Sequence, residues 1–131
     1  MSSLEIKGGR KLHGEVDIHG AKNSVLPLLA ATFLCDGQSV LYNCPDLSDV
    51  KASLEILKGL GSNYIREGDT VIITSGESKI CEIPDVLMRE MRSSIVFMGA
   101  VAAKCGSVTL SLPGGCELGP RPIDLHIDAL K

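Results

Sequence analysis

Val25-Leu-Pro-Leu-Leu-Ala-Ala-Thr-Phe-Leu-Cys35 contains no charged residue, and neither does Ile95-Val-Phe-Met-Gly-Ala-Val-Ala-Ala103. A helix of this length with no polar face is buried nearly all round. Both stretches are therefore expected at the centre of the fold. The segments between them read differently. Glu15-Val-Asp-Ile-His19, Ser107-Val-Thr-Leu-Ser-Leu112 and the start of Ser39-Val-Leu-Tyr-Asn43 alternate polar and apolar residues, the pattern of strands with one wet face. Ser62-Asn-Tyr-Ile-Arg66 and Thr70-Val-Ile-Ile-Thr74 flank Glu67-Gly-Asp69 and predict a hairpin. Ser48 to Leu60 places Val50, Leu54, Leu57 and Leu60 on one stripe and Lys51, Glu55 and Lys58 elsewhere, a surface helix stopped by Gly61. Apolar helices inside and half-wet sheets outside reverse the usual parallel-sheet sandwich.

An internal repeat fits this inside-out arrangement. Asn23-Ser24 opens a helix ending at Cys35-Asp-Gly37, and Arg92-Ser93 opens one ending at Cys105-Gly106, each followed by a Ser-Val strand. Ser48 to Lys58 then matches Arg121 to Lys131 in its apolar positions, but the second connection is longer. The added length is Leu112-Pro-Gly-Gly-Cys-Glu-Leu-Gly-Pro-Arg-Pro-Ile-Asp-Leu-His126. Glycines there permit backbone shapes closed to other residues, and prolines stiffen them, which holds the Cys116 thiol out on a shaped loop. Pro122 suits the first helical position, so Arg121 falls at a helix start that already favours anions. The insertion is either the functional loop or a tolerated surface excursion, and loops on a rigid scaffold carry function.

Lys22 and Arg92 occupy matching places at the two buried helices, and Asn23 or Ser24 is expected to cap the first. With Arg121 these are three cations at helix starts, each unfavourable to its own helix unless an anion joins it. Taken singly, each is more commonly an exposed surface charge, and structural ion pairs could use all three. Gly114-Gly115 and Glu117 around Cys116 argue against burial, and neighbouring arginines favour a thiolate while Glu117 opposes it. Cys35 and Cys105, at the ends of apolar helices, read as small buried hydrophobes, and Cys44 and Cys81 stay undecided. Asp124 and His126 either contact a polar ligand or cap and pair within their helix.

The sequence has 131 residues, 44% of them hydrophobic, enough for one domain at most. The helix begun at Pro122 has no stop signal, so the chain reads as a piece of something longer. A net charge of −3 and 3% aromatic residues exclude a basic, ring-lined nucleic-acid surface. Five cysteines without a Cys-x-x-Cys pair speak against a disulfide framework or a metal site and fit a reducing cytoplasm. Neither a leader nor a membrane-length apolar run is expected.

Gly20-Ala-Lys-Asn-Ser24, Met91-Arg-Ser-Ser-Ile95 and Leu112 to His126 together resemble the UDP-N-acetylglucosamine 1-carboxyvinyltransferases, the enolpyruvyl transferases of peptidoglycan precursor synthesis. That resemblance implies an inside-out α/β barrel of βαβαββ repeats in two domains, no cofactor, and enolpyruvyl transfer from phosphoenolpyruvate to a sugar 3-hydroxyl with release of phosphate. It implies that Cys116 is the general acid, able to form a phospholactoyl adduct and open to alkylation by fosfomycin. Lys22, Arg92 and Arg121 would surround phosphoenolpyruvate, Asn23 would contact the sugar nucleotide, and Arg121, Pro122, Ile123, Asp124, Leu125 and His126 would receive its uridine end. It also implies that residues 1–21 form a strand belonging to the second domain. Residues 22–131 would then be a partial first domain, with one repeat over about 22–75 and a truncated one from about 85. A shikimate-type transferase, or a non-catalytic module that oligomerises to cover its exposed core, are the competing readings.

Overall fold

Ala21 is the N-cap of the first helix, α1 (Lys22–Thr32), its carbonyl accepting the amides of Ser24 and Val25, both at 3.0 Å. The computed structural model describes residues 3–76, 80–90, 92–111 and 123–130. After α1 come β1 (Gln38–Leu41), α2 (Ser48–Gly59), β2 (Asn63–Glu67) and β3 (Thr70–Thr74). These are followed by α3 (Asp85–Glu90), a 3-10 turn at Arg92–Ile95, α4 (Val96–Cys105) and α5 (Asp124–Leu130). The three strands form one antiparallel sheet in the order β1-β3-β2, with Val71 opposite Leu41 and Arg66, and Ile73 opposite Ser39 and Tyr64.

Alternation makes that sheet one-sided. Val71 and Ile73 are buried, whereas Val40 and Ile65 lie on strand positions open to solvent. The buried face joins a core with Leu29 and Phe33 from the first helix, Leu54 and Leu57 from α2, and Phe97 and Val101 from α4. The expected hairpin and the helix stopped by Gly61 are both present. Gly61 has φ +91°, a left-handed conformation suited to glycine just past a helix end.

Burial of the helices departs from the sequence expectation. α1 is enclosed on one side only: Val25, Leu26, Leu29 and Ala30 are buried, but Leu28 is 51% exposed. α4 buries Phe97, Met98, Ala100 and Val101 while Gly99 and Ala103 are exposed. The charged helix α2 is the better enclosed, with Val50, Ala52, Ser53, Leu54, Ile56 and Leu57 buried, because it packs against α1, α3 and β2. Absence of charge permits burial on every face. It does not supply the neighbours.

Two strand expectations also change. Residues 3–20 contain no regular element, and Val16 and Ile18 are exposed, so the Glu15 to His19 alternation joins no sheet among the described residues. Of the Ser107 to Leu112 strand, one parallel bridge between Thr109 and Glu82 is present, and Leu112 lies outside the described residues. Helix α3 was not expected. Its signals are Pro84 before the first turn and Asp85 four residues ahead of Arg89, whose Nε donates to the Asp85 carboxylate at 2.8 Å.

One side chain ties the two apolar helices together. Lys104, in the last turn of α4, donates to the Phe33 carbonyl just past α1 at 2.7 Å and to Ser75 Oγ at 2.9 Å. Its ammonium also lies 4.9 Å from the Phe33 ring centroid. Lys104→Met keeps the aliphatic stem and removes these contacts. A loss of about 1–3 kcal/mol is expected in denaturant unfolding.

Candidate functional site

Lys22 is the first residue of α1 and pairs with Asp49 in the first turn of α2, Nζ meeting Oδ2. Close packing of α1 on α2 brings the two starts together. The pair resolves a conflict visible in the sequence. An ammonium at a helix N-terminus is unfavourable, and the Asp49 carboxylate both neutralises it and sits where its own helix favours a negative charge. Lys22 keeps a side-chain exposure of 48%, so its ammonium remains open to an incoming anion while Asp49 orients it. Asp49 was missed by the sequence reading. Its signal was the acidic residue after Ser48 in the first turn of an amphipathic helix.

The approach to Lys22 is fixed by backbone. A Cβ on Gly20 would lie 2.1 Å from the carbonyl oxygen of Asn43, so only glycine lets the chain pass there into Ala21 and Lys22. Asn43 itself adopts φ +56°, the left-handed region that asparagine tolerates. Beside this crossing is an apolar groove of about 370 Å³, lined by residues that include Ser24, Leu28, Val40 and Tyr42. Below it Arg66 donates to the carbonyls of Cys44 at 2.9 Å and Gly68 at 3.0 Å. The Cys44 amide donates to the Asp69 carbonyl at 2.7 Å. This bracing holds the turn after β1 rigid.

The remaining expected site residues fall as follows. Asn23 and Ser24 are exposed in the first turn of α1, and neither caps it, since no side chain bonds its free amides. Arg92 opens the 3-10 turn rather than α4, so the second copy enters its helix by a tighter turn than the first. Ile123 precedes α5 and accepts the amides of His126 and Ile127 at 3.0 and 3.1 Å. Asp124, Leu125 and His126 are exposed on α5, with Leu125 at 84%. Cys116, Arg121 and Pro122 lie outside the described residues, as does the Arg92 side chain.

Cys35 and Cys105 are less buried than expected, and the two undecided thiols differ from each other. Cys35 is exposed because α1 ends at Thr32, three residues earlier. Cys44 is the buried one, and burial pushes its thiol above the usual cysteine range, with Asp69 adding to the shift and Arg66 opposing it. Cys105 and Cys81 are half-buried neighbours. Among the described residues no helix is long and apolar enough to cross a membrane.

Helices packed beneath one face of an antiparallel sheet, with Lys22 at the start of the first, make a mixed α/β domain. The family model for EPSP synthase (3-phosphoshikimate 1-carboxyvinyltransferase) matches residues 6–131, and the chain belongs to that family. Within it, the chain is 50% identical over its whole length to UDP-N-acetylglucosamine 1-carboxyvinyltransferase 2 of Caldanaerobacter subterraneus subsp. tengcongensis. It is 48% identical over its whole length to UDP-N-acetylglucosamine 1-carboxyvinyltransferase of Methylacidiphilum infernorum. In both cases it spans 31% of the relative's length. Among solved structures it matches the enolpyruvyl transferase NikO from Streptomyces tendae, with a TM-score of 0.67 and 25% identity. That match covers 76% of this chain and 23% of the other.

Proposed function

We propose that this chain supplies part of the active site of an enzyme that transfers the enolpyruvyl group of phosphoenolpyruvate to the 3-hydroxyl of UDP-N-acetylglucosamine. The observation that carries this reading is whole-chain identity of 40–50% to proteins named for that activity. The open Lys22 ammonium at the start of α1 supports it. In this reading Cys116 protonates the methylene carbon of phosphoenolpyruvate, the sugar 3-hydroxyl gives its proton to a base as its oxygen bonds to the adjacent carbon, and a tetrahedral intermediate forms. Loss of a methyl proton and of phosphate then gives the enol ether product. Lys22, Arg92 and Arg121 stabilise the phosphate and carboxylate that this intermediate carries on one carbon. Asn23 contacts the sugar nucleotide, and Arg121 to His126 line its uridine end.

The same reading assigns residues 1–21 to a sheet of a second domain, which suits their exposed alternation of apolar residues. It places the reaction in the cytoplasm, in cell-wall synthesis and therefore in cell shape and division, and makes Cys116 the fosfomycin target. In isolation the chain would turn over little or nothing. Its uncovered apolar residues, Leu28, Leu34, Val40 and Tyr42 among them, invite self-association.

A chimera tests this: the chain replaces the matching residues of the Caldanaerobacter relative, and phosphate release is followed with each acceptor. Release is expected with UDP-N-acetylglucosamine and not with shikimate 3-phosphate. Release with shikimate 3-phosphate alone overturns the assignment.

A further inference from the structure

Residues 80–85 are stitched to the end of α4 and the residues after it. Thr109 N donates to Cys81 O at 2.9 Å, and Ile83 N donates to Thr109 O at 3.0 Å, the two halves of the bridge between Glu82 and Thr109. The Asp85 carboxylate accepts from the Ser111 side chain. Beside this stitch the Cys81 and Cys105 side chains are within hydrogen-bond reach of each other, and Cys105 Sγ lies 3.7 Å from the Ile80 carbonyl. Both thiols are half-buried against the core, reachable by a small solute and held in place by packing. The enolpyruvyl chemistry proposed above uses neither.

We propose that Cys81 and Cys105 form a redox-active dithiol, a modification site that hydrogen peroxide closes into an intramolecular disulfide. The thiolate of one cysteine attacks a peroxide oxygen, the O–O bond breaks, and water leaves after protonation, which oxidises that sulfur to a sulfenic acid. The second sulfur attacks the first, the S–O bond breaks, the S–S bond forms, and a second water leaves. Two thiols lose two electrons to one peroxide, and a small dithiol returns them. Burial, and then the hydrogen bond with Cys81, raise the Cys105 thiol above the usual cysteine range. Closure would join the segment at residues 80–85 covalently to the end of α4.

The test treats the whole chain with hydrogen peroxide, alkylates the remaining thiols and sequences unreduced tryptic peptides by tandem mass spectrometry, whose fragments separate Cys105 from Cys116 on the peptide they share. The expected result is a peptide pair joining Cys81 to Cys105, two hydrogens lighter than the free peptides, absent after dithiothreitol. A second readout needs no oxidation: phenylarsine oxide bridges adjacent thiols, and its binding to the reduced chain is expected to vanish in Cys81→Ser and in Cys105→Ser. Recovery of both cysteines as alkylated thiols while Cys35 or Cys116 is oxidised would overturn the proposal. Linkage of either to a different cysteine would overturn it as well.

Discussion

Phosphate release by the chimera is expected to fall about 10²- to 10⁴-fold when Cys116 is replaced by serine, the range that a positioned general acid contributes. Acidity accounts for the loss. A serine hydroxyl fills the same volume but holds its proton far more tightly than a thiol, so it cannot protonate a carbon centre near neutral pH. Because the loss concerns proton transfer and not binding, kcat should fall while the KM for UDP-N-acetylglucosamine changes little. Steady-state rates with both substrates varied give the two constants separately. A loss below tenfold would remove the acid role from Cys116 and leave it a bystander that merely lines the pocket.

The second large effect separates two neighbouring leucines of α1. Leu29 is fully buried and Leu28 is 51% exposed, although the sequence presents them as equivalent members of an uncharged helix. Leu29→Ala removes buried methyl groups and leaves a cavity between α1, α2 and α4, for an expected loss of about 2–5 kcal/mol. Leu28→Ala removes surface that water already reaches, with an expected loss under about 1 kcal/mol. Urea unfolding of the two variants distinguishes them by midpoint. Equal losses would mean that α1 is enclosed on both sides, most simply by a second copy of the chain.

That contrast also shows why the sequence was only partly legible. Local signals worked where a segment finds its partners nearby. Alternation in Asn63–Glu67 and Thr70–Thr74 with a short turn between them made a hairpin, and Gly61 stopped α2. They failed where the partner is distant. Val16 and Ile18 alternate as a strand should, yet no strand among the described residues pairs with them, and the apolar faces of α1 and α4 require neighbours that a hydrophobic pattern cannot guarantee. Asp49 illustrates the same limit at the site. Its meeting with Lys22 depends on the packing of α1 against α2, a tertiary fact that spacing along the chain does not encode. Lys22 itself was legible, because a cation at a helix start is a local conflict that demands an anion.

The central claim is that the Cys116 sulfur shares one anion pocket with Lys22, Arg92 and Arg121. Iodoacetamide labelling of Cys116 in the chimera, read by mass spectrometry, tests it most directly. Phosphoenolpyruvate with UDP-N-acetylglucosamine is predicted to slow that labelling, and Lys22→Met is predicted to abolish the protection while leaving the labelling rate of Cys35 unchanged. Labelling of Cys116 that proceeds at the same rate with and without both ligands in the active chimera would contradict the claim.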